Sequence, residues 1–455
     1  MRGQVVKYFA ASCGIIAVVI VLALWESSTG GKLTDSQNSV KKRYKSQKCD
    51  QLETTYDEAH NLDQNIIVRD FYPYAAKITG AVFHDDGHID ITGDLLTTLV
   101  HQFYPQTEDH VRKMFPNPSG NDSNMEFYIM SPGMTFYKGE IIFSLRLWFN
   151  YEKRYSENTI SSEPNSWFDN YLLTQKFDRY FKPKTNLSII GIPAPRQYIM
   201  NGGPSDGRLV KVGSHLWLSF YMCMKIAGKE TGHLYLWEYN QNYVMKPTIK
   251  NYTMTTIDSN WSPLDIEGTL YYIYTLDPLR VLKCDSKLSC AFTFKTENAD
   301  QYPFKLEDDV LRGGSPFDLY KWPYYLCMGH ARVLKKSNGH SVYTANLVLL
   351  SVLPVPRIVF VSSPIHVQPT ILDVPIIRGS FIDDPYIYPL SLIIEDLDTL
   401  MVGVTINDNR AAVIRVRNVK NILQEAMDTD KRLGARKGPK IRTVQKYIKS
   451  ITPQN

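Results

Sequence analysis

The sequence predicts an all-β fold of the propeller kind, and three observations lead there. Tyr and Pro are abundant, 29 and 25 of 455 residues, and they favour short strands and turns over a helical bundle. From about residue 65 to 415, short apolar strands alternate with turn signals. Helical periodicity is scarce before 416–427. Length alone fits two or three domains, but repeated small antiparallel sheets absorb such a length as one unit without a strict sequence period.

Taken in order, strands are expected at 139–149, 209–222, 232–239, 269–274, 324–329, 341–353 and 390–406. Asp85-Asp86-Gly87-His88 and Glu395-Asp396-Leu397-Asp398 read as tight turns. Ahead of the strands, residues 9–25 are apolar and uncharged, with Arg2 and Lys7 before them and Glu26 after. That is the short end of a membrane span, and the preceding basic residues favour a cytosolic N-terminus. The competing reading is a cleaved signal peptide ending near Ser27-Ser28-Thr29-Gly30. Either way, the remainder of the chain is expected to enter the secretory pathway. The expected organisation is a cytosolic tail at 1–8, a single transmembrane signal anchor at 9–25, a polar stem at 26–60, the β domain at 61–420 and a basic tail at 421–455. From Lys431 onward that tail holds eight Lys or Arg after its last acid.

A net charge of +5 is too mild to argue for a nucleic-acid partner. N-glycan acceptor sites occur at Asn121, Asn186 and Asn251. Cys284 and Cys290 are close enough in sequence for a local disulfide in an oxidising lumen. No Cys-x-x-Cys pair is present, which argues against a cysteine-based zinc site, and there is neither a Gly-Lys-Ser phosphate loop nor a Gly-x-Ser-x-Gly elbow. Neither metal nor cofactor is expected. Asp396-Leu397-Asp398 matches the Asp-x-Asp of metal-dependent sugar-nucleotide enzymes, but a hairpin turn is the simpler reading between two apolar strands.

Two segments carry the chemical signal. One runs Asp258-Ser259-Asn260-Trp261-Ser262-Pro263 and continues to Asp277-Pro278-Leu279-Arg280-Val281-Leu282-Lys283-Cys284, with Cys290 behind it. The other is Leu311-Arg312-Gly313-Gly314-Ser315-Pro316, leading to His330. Both resemble the fungal-type β-mannosyltransferases of the cell wall. In that family Glu-Lys-Asn-Trp precedes a Pro, Pro-Leu-Arg-Val-Leu-Lys-Cys precedes a second Cys, and Leu-Arg-Gly-(Ala/Gly)-(Thr/Ser)-Pro follows. The family is similar in turn to mannoside phosphorylases that are five-bladed β-propellers. Weaker matches are Ile142–Arg146, Gly203-Pro204-Ser205-Asp206-Gly207-Arg208, Tyr388–Ser391 and Gly403–Asp408, so the resemblance covers roughly 135–415. Two departures stand out: the family's Glu-Asp pair is Ser205-Asp206 here, and its Glu-Lys before Asn-Trp is Asp258-Ser259.

The resemblance implies a five-bladed propeller that adds mannose, with inversion, to a mannose-containing glycan acceptor in a Golgi or other secretory-pathway membrane. The donor would be GDP-mannose or mannose 1-phosphate. Inverting transfer through an oxocarbenium-like state needs a proton-moving group and a holder for the anion. Asp206 is the expected acid/base, unless it only closes its turn. Asp408 is the expected second carboxylate, unless it only closes a hairpin. Arg208, Arg312 and His330 would grip anionic donor oxygens, and Arg146 and Arg280 would support them, although an Arg at a strand end also serves as a solvated cap. Asn260 and Trp261 would hold sugar by amide contacts and indole stacking, against the alternative that Trp261 is core. The alternatives are a β-mannoside phosphorylase or hydrolase, and a propeller that only binds glycan.

Overall fold

The computed structural model describes residues 75–78, 82–83, 89–90, 95–103, 127–149, 170–192, 202–226, 229–239, 241, 243–254, 257–276, 278–295, 311–334, 341–362, 365, 367, 370–376 and 385–433. Segment 9–25, Asn121 and the turn residues 84–88 lie outside these. Among the described residues no helix is long and apolar enough to cross a membrane.

The described residues are mostly strand. They open with β1 (Ala75–Ile78), β2 (Val82–Phe83), β3 (Ile89–Asp90) and β4 (Leu95–Phe103). A meander follows of β5 (Phe127–Tyr137), β6 (Glu140–Phe149), β7 (Asn170–Phe177) and β8 (Ser188–Ile190). The next is β9 (Gly203–Val212), β10 (His215–Ile226), β11 (Lys229–Glu238) and β12 (Val244–Met245). The third has β13 (Thr248–Ile249) at its outer edge, with β14 (Ser262–Ile266), β15 (Thr269–Thr275), β16 (Arg280–Cys284) and β17 (Ser289–Lys295). The fourth is β18 (Leu311–Gly313), β19 (Asp318–Lys321), β20 (Tyr324–Leu334), β21 (Ser341–Ser351) and β22 (Arg357–Val361). Last come β23 (Ile387–Ile394), β24 (Thr399–Ile406) and β25 (Arg410–Arg417), then α1 (Lys420–Leu433).

Neighbours pair antiparallel within each meander, except that the edge strand β13 pairs β17 in parallel. The last sheet is completed by the first part of the chain, because β4 pairs β25 from Phe103 opposite Ala411 to Leu96 opposite Arg417. N- and C-terminal strands thus share one sheet, and fraying of either end is resisted by the other.

The large apolar clusters lie between successive sheets. One joins Ile142 and Leu172 to Leu218 and Phe220. Another joins Val210 and Leu236 to Trp261 and Leu282, and a third joins Leu264 and Val281 to Leu326's neighbours Tyr325 and Cys327. At ~2 kcal/mol for each fully buried large aliphatic or aromatic side chain, these seams hold the sheets face to face.

The first strands of the meanders pack on one another, β9 between β5 and β14, and β23 beside both β5 and β9. Small residues permit the approach. A Cβ on Gly133 would lie 2.0 Å from the Gly207 carbonyl oxygen, and one on Gly313 would lie 2.0 Å from Ser262 Oγ.

Several expectations need correction. Stretch 209–222 is a hairpin across β9 and β10, and 390–406 is a hairpin across β23 and β24, because Gly213 and the 395–398 turn interrupt the apolar runs. The helix is 420–433, since β25 extends through Arg417. The β domain therefore does not stop at 420. Val419, Ile422, Leu423, Ala426 and Met427 recur at helical spacing and join the core beside Leu326 and Val402. The helix start is held by Asp398, whose Oδ1 accepts the Lys420 N–H at 3.1 Å. Asp396–Asp398 is a hairpin turn, with Asp396 Oδ1 accepting the Asp398 N–H at 2.7 Å. Cys284 and Cys290 face each other across β16 and β17 and are disulfide-bonded. Asn186 and Asn251 are exposed.

Candidate functional site

The site is built where β5, β6, β9, β18, β20, β23 and the β24–β25 turn meet. Asp206 is the fourth residue of β9, in left-handed backbone (φ 52°). That strained conformation turns its side chain out of the sheet pattern. Gly207 follows because no side chain fits: its Cβ would meet Ser144 Oγ at 2.5 Å.

Asp206 Oδ1 accepts from Ser131 Oγ at 3.0 Å and from Arg146 Nη1 at 3.3 Å, which leaves Oδ2 for another partner. Arg146 is itself fixed. Its Nε donates to Asn170 Oδ1 at 2.7 Å, its guanidinium lies over Trp148, and Asn170 in turn donates to the Gly202 carbonyl at 3.2 Å. Ser131 sits in a bulge of β5, also left-handed (φ 53°), and its N–H donates to Thr405 Oγ1 at 2.8 Å. The carboxylate on β9 is therefore positioned by residues from two other meanders, Ser131, Arg146 and Asn170 from the first and Thr405 from the last.

Arg208 is 1% exposed, although it carries a permanent charge. Its Nε donates to the Gly314 carbonyl at 2.6 Å and its Nη1 to the Asp206 carbonyl at 3.3 Å. Its Nη2 is buried with no acceptor among the described residues. Leaving a buried charged donor without a partner costs upward of about 1–3 kcal/mol, so this guanidinium is suited to take a further acceptor.

His330 stands opposite Arg312 in the β18–β20 register. It is buried, its Nδ1 has no partner, and burial followed by the Arg312 and Arg208 charges holds the ring well below the ordinary histidine range. His330 is thus neutral at pH 7 and offers a hydrogen bond rather than a charge. Arg312 is half-buried and makes no hydrogen bond or ion pair among the described residues. Gly313 and Gly314 leave room for neighbouring backbone, Asn260 and Met328 among them, rather than for a ligand.

Asp408 lies in the turn after β24, where Asn407 and Asp408 are both left-handed (φ 53°). Asn407 anchors that turn, accepting the Tyr386 N–H at 2.9 Å and donating to the Val374 carbonyl at 2.6 Å. Burial raises Asp408 above the usual carboxylate range. The Tyr386 hydroxyl and Arg146 oppose the shift, and the Asp206 charge adds to it. Asp408 closes its hairpin and also shares one electrostatic environment with Asp206. Two carboxylates with unequal environments are how a site keeps one acid and one base at the same pH.

Tyrosines that the sequence pattern did not single out complete the wall. His330 and Tyr388 have ring centroids 4.6 Å apart, Tyr343 and Tyr388 5.7 Å, and Tyr343 and Tyr386 5.5 Å. Tyr388 is raised by burial and also responds to Arg208, Asp206 and Arg312, which places it amid the cluster. The Tyr386 hydroxyl faces Asp408 without closing a well-formed hydrogen bond. The signal for these residues was the alternation Tyr386-x-Tyr388 entering β23. For Ser131 it was a Ser-Pro-Gly inside a strand.

Three expected residues differ. Trp261 has 0% exposure and does not stack on a ligand. Its Nε1 donates to Asp258 Oδ1 at 2.8 Å, and its ring packs on Tyr272 and Tyr274. Asp258 also accepts from the Tyr274 hydroxyl at 2.9 Å, so it is a buried brace for this turn. Arg280 starts β16, opposite Thr275 and Lys295 and separated from β14 by β15, and it does not join the cluster. Asn260 is half-buried and left-handed (φ 68°), with its Nδ2 on Ser259 Oγ at 3.2 Å, so it stands beside the Arg312–Gly313 strand but is turned toward its own loop. Ser205 is buried with its hydroxyl on the Tyr221 carbonyl at 3.3 Å, and does not face Asp206's partners. Among the described residues no three His, Cys, Asp or Glu side chains form a metal site.

No family model matches the chain, and no curated protein matches it. Solved structures that resemble it include a β-1,2-mannobiose phosphorylase from Listeria innocua, at 12% identity over 67% of this chain and 94% of that one, TM-score 0.44. Others are a mannose phosphorylase from Leishmania mexicana (10%, 65% and 86%, 0.41) and a GDP-Man-dependent mannosyltransferase from the same organism (11%, 65% and 86%, 0.42). At such identities and TM-scores the likeness says nothing about what this chain acts on.

Proposed function

We infer that the chain is a five-bladed β-propeller, held by a signal anchor in a secretory-pathway membrane such as the Golgi. Its pocket transfers mannose with inversion from GDP-mannose or mannose 1-phosphate to a mannose-containing glycan. The observation that carries this reading is the buried Arg208 guanidinium, whose Nη2 lacks an acceptor among the described residues, with Arg312 nearby and Asp206 in the same cluster, both likewise keeping side-chain atoms without a partner among those residues. A donor phosphate satisfies the arginines. Asp206 takes the proton of the acceptor hydroxyl as that oxygen attacks the anomeric carbon and the phosphate-bearing group departs with the bonding pair. Asp408, whose carboxyl burial raises above its ordinary range, is the second carboxylate of the cluster and contacts a sugar hydroxyl.

The same cradle fits inorganic phosphate, which supports a β-mannoside phosphorylase as the second reading. The two separate in one experiment on the full-length protein with a mannan oligosaccharide. Transfer from labelled GDP-mannose supports the first, whereas release of mannose 1-phosphate that requires added phosphate supports the second. A propeller that binds oligosaccharide but turns over neither donor defeats both.

A further inference from the structure

Arg146 and Asp206 form an ion pair between two meanders, Nη1 to Oδ1 at 3.3 Å. Their side chains are 12% and 25% exposed, so water competes for both and the pair alone does not fix where the carboxylate points. One residue reaches both halves. Asn170 opens β7 opposite Trp148 of β6 and has 0% exposure. Its Oδ1 accepts from Arg146 Nε at 2.7 Å, a charge-assisted bond. On its other side, Nδ2 and the backbone N–H both donate to the Gly202 carbonyl, at 3.2 and 3.0 Å. Gly202 directly precedes β9, the strand that carries Asp206.

The partners dictate the way this amide faces. Arg146 Nε only donates and the Gly202 carbonyl only accepts, so the amide oxygen meets the arginine and the nitrogen meets the carbonyl. Arg146 and Trp148 are two residues apart on β6 and share a face. The guanidinium lies 4.6 Å from the Trp148 ring centroid. The indole sets the plane of the guanidinium and Asn170 sets its rotation, which directs Nη1 at Asp206.

We propose that Asn170 is a positioning residue for the proton transfer. A single buried amide ties the partner of the carboxylate, through Arg146, to the strand of the carboxylate, through Gly202. The inference rests on Asp206 as the group that takes the proton.

The first test is a double-mutant cycle on urea unfolding of the full-length protein. Asn170→Ala and Asp206→Ala should each lower the midpoint. Together they should lower it by less than the sum, because either change already releases Arg146. In an Arg146→Met background the two losses should add. Should Asn170→Ala not fold, Asn170→Asp serves in the cycle: it keeps the oxygen for Arg146 and loses the Nδ2 donor to Gly202, and the same shortfall is expected. Additive losses with Arg146 in place overturn the proposal. The second test is mannose transfer from labelled GDP-mannose or mannose 1-phosphate. Asn170→Ala should lower kcat by about 10-fold or more with the donor KM unchanged. A raised KM with unchanged kcat also overturns the proposal. Wild type that transfers no mannose defeats the transfer chemistry, and the cycle still decides whether Asn170 acts on Asp206 through Arg146.

Discussion

Replacing Gly133 by Ala probes the link between packing and chemistry. The added Cβ would sit 2.0 Å from the Gly207 carbonyl oxygen and 3.5 Å from Arg208 Cα. An ordinary carbon–oxygen contact is well over 3 Å, so β5 and β9 must separate by roughly an ångström. The obstacle is backbone, not the tip of a flexible side chain, so relaxation is costly. Overpacking of this kind costs ~1–3 kcal/mol, and the upper end is expected here. The same displacement stretches the 3.0 Å bond from Ser131 Oγ to Asp206 Oδ1 beyond useful range. Gly133→Ala should therefore lower both the urea midpoint and turnover. Gly139→Ala is the control. Gly139 is left-handed (φ 83°), but a Cβ added there would meet nothing within 4 Å, so the variant should lose only the ~1 kcal/mol of backbone strain and leave turnover intact. If Gly133→Ala unfolds at the parent's midpoint, the close β5–β9 contact is not there and the positioning of Asp206 needs another explanation.

Further expectations concern single interactions. Trp261→Phe removes one of two donors to buried Asp258 and should cost ~2 kcal/mol by denaturation, while glycan affinity of the folded fraction stays unchanged. A large affinity loss there would restore a stacking role for the indole. Asp430→Ala strips Arg357 of a bidentate partner, at 2.8 and 2.6 Å, and Tyr324 of an acceptor. It should cost ~3 kcal/mol and increase hydrogen exchange in α1 first. Burial raises Asp318 from 3.8 to about 6, with Lys211 opposing. A carboxyl raised on folding favours the native state below its unfolded value, and that benefit is lost as pH climbs through about 6. Asp318→Asn should thus stabilise the protein at pH 7.5 by ~1 kcal/mol, allowing for its partial exposure and solvent screening, and do little at pH 4. Equal effects at both pH values would refute the assignment.

Much of the fold was legible because strand and turn chemistry repeats along the chain. Glycines and prolines mark the hairpins, and the Leu311–Pro316 segment packs beside Asn260 and Ser262 through Gly313. A hairpin reads as one strand in the sequence where its turn is short, as at Gly213-Ser214, or charged, as at 395–398. Apolar residues run on from β25 into α1, so the sequence pattern starts the helix before Lys420. The site was harder to read, since Arg146, Asp206 and Asp408 come from three meanders and no local pattern reveals which side chains converge. An Asn-Trp turn fits both sugar recognition and core, and Trp261 is core. Asp258, three residues earlier, was the clue that the indole N–H had a partner inside the fold. The Ser205 departure matters less than it looked, as that side chain is buried against Tyr221.

Asp206 is the residue on which the proposed transfer turns. With full-length protein, labelled GDP-mannose or mannose 1-phosphate and a mannan oligosaccharide, wild type should transfer mannose. Asp206→Asn keeps the shape, and its amide oxygen can still accept from Ser131 and Arg146, but the proton-accepting oxygen is lost. Turnover should then fall by about 100-fold or more, with donor affinity retained through Arg208 and Arg312. Turnover equal to wild type in Asp206→Asn would contradict the account.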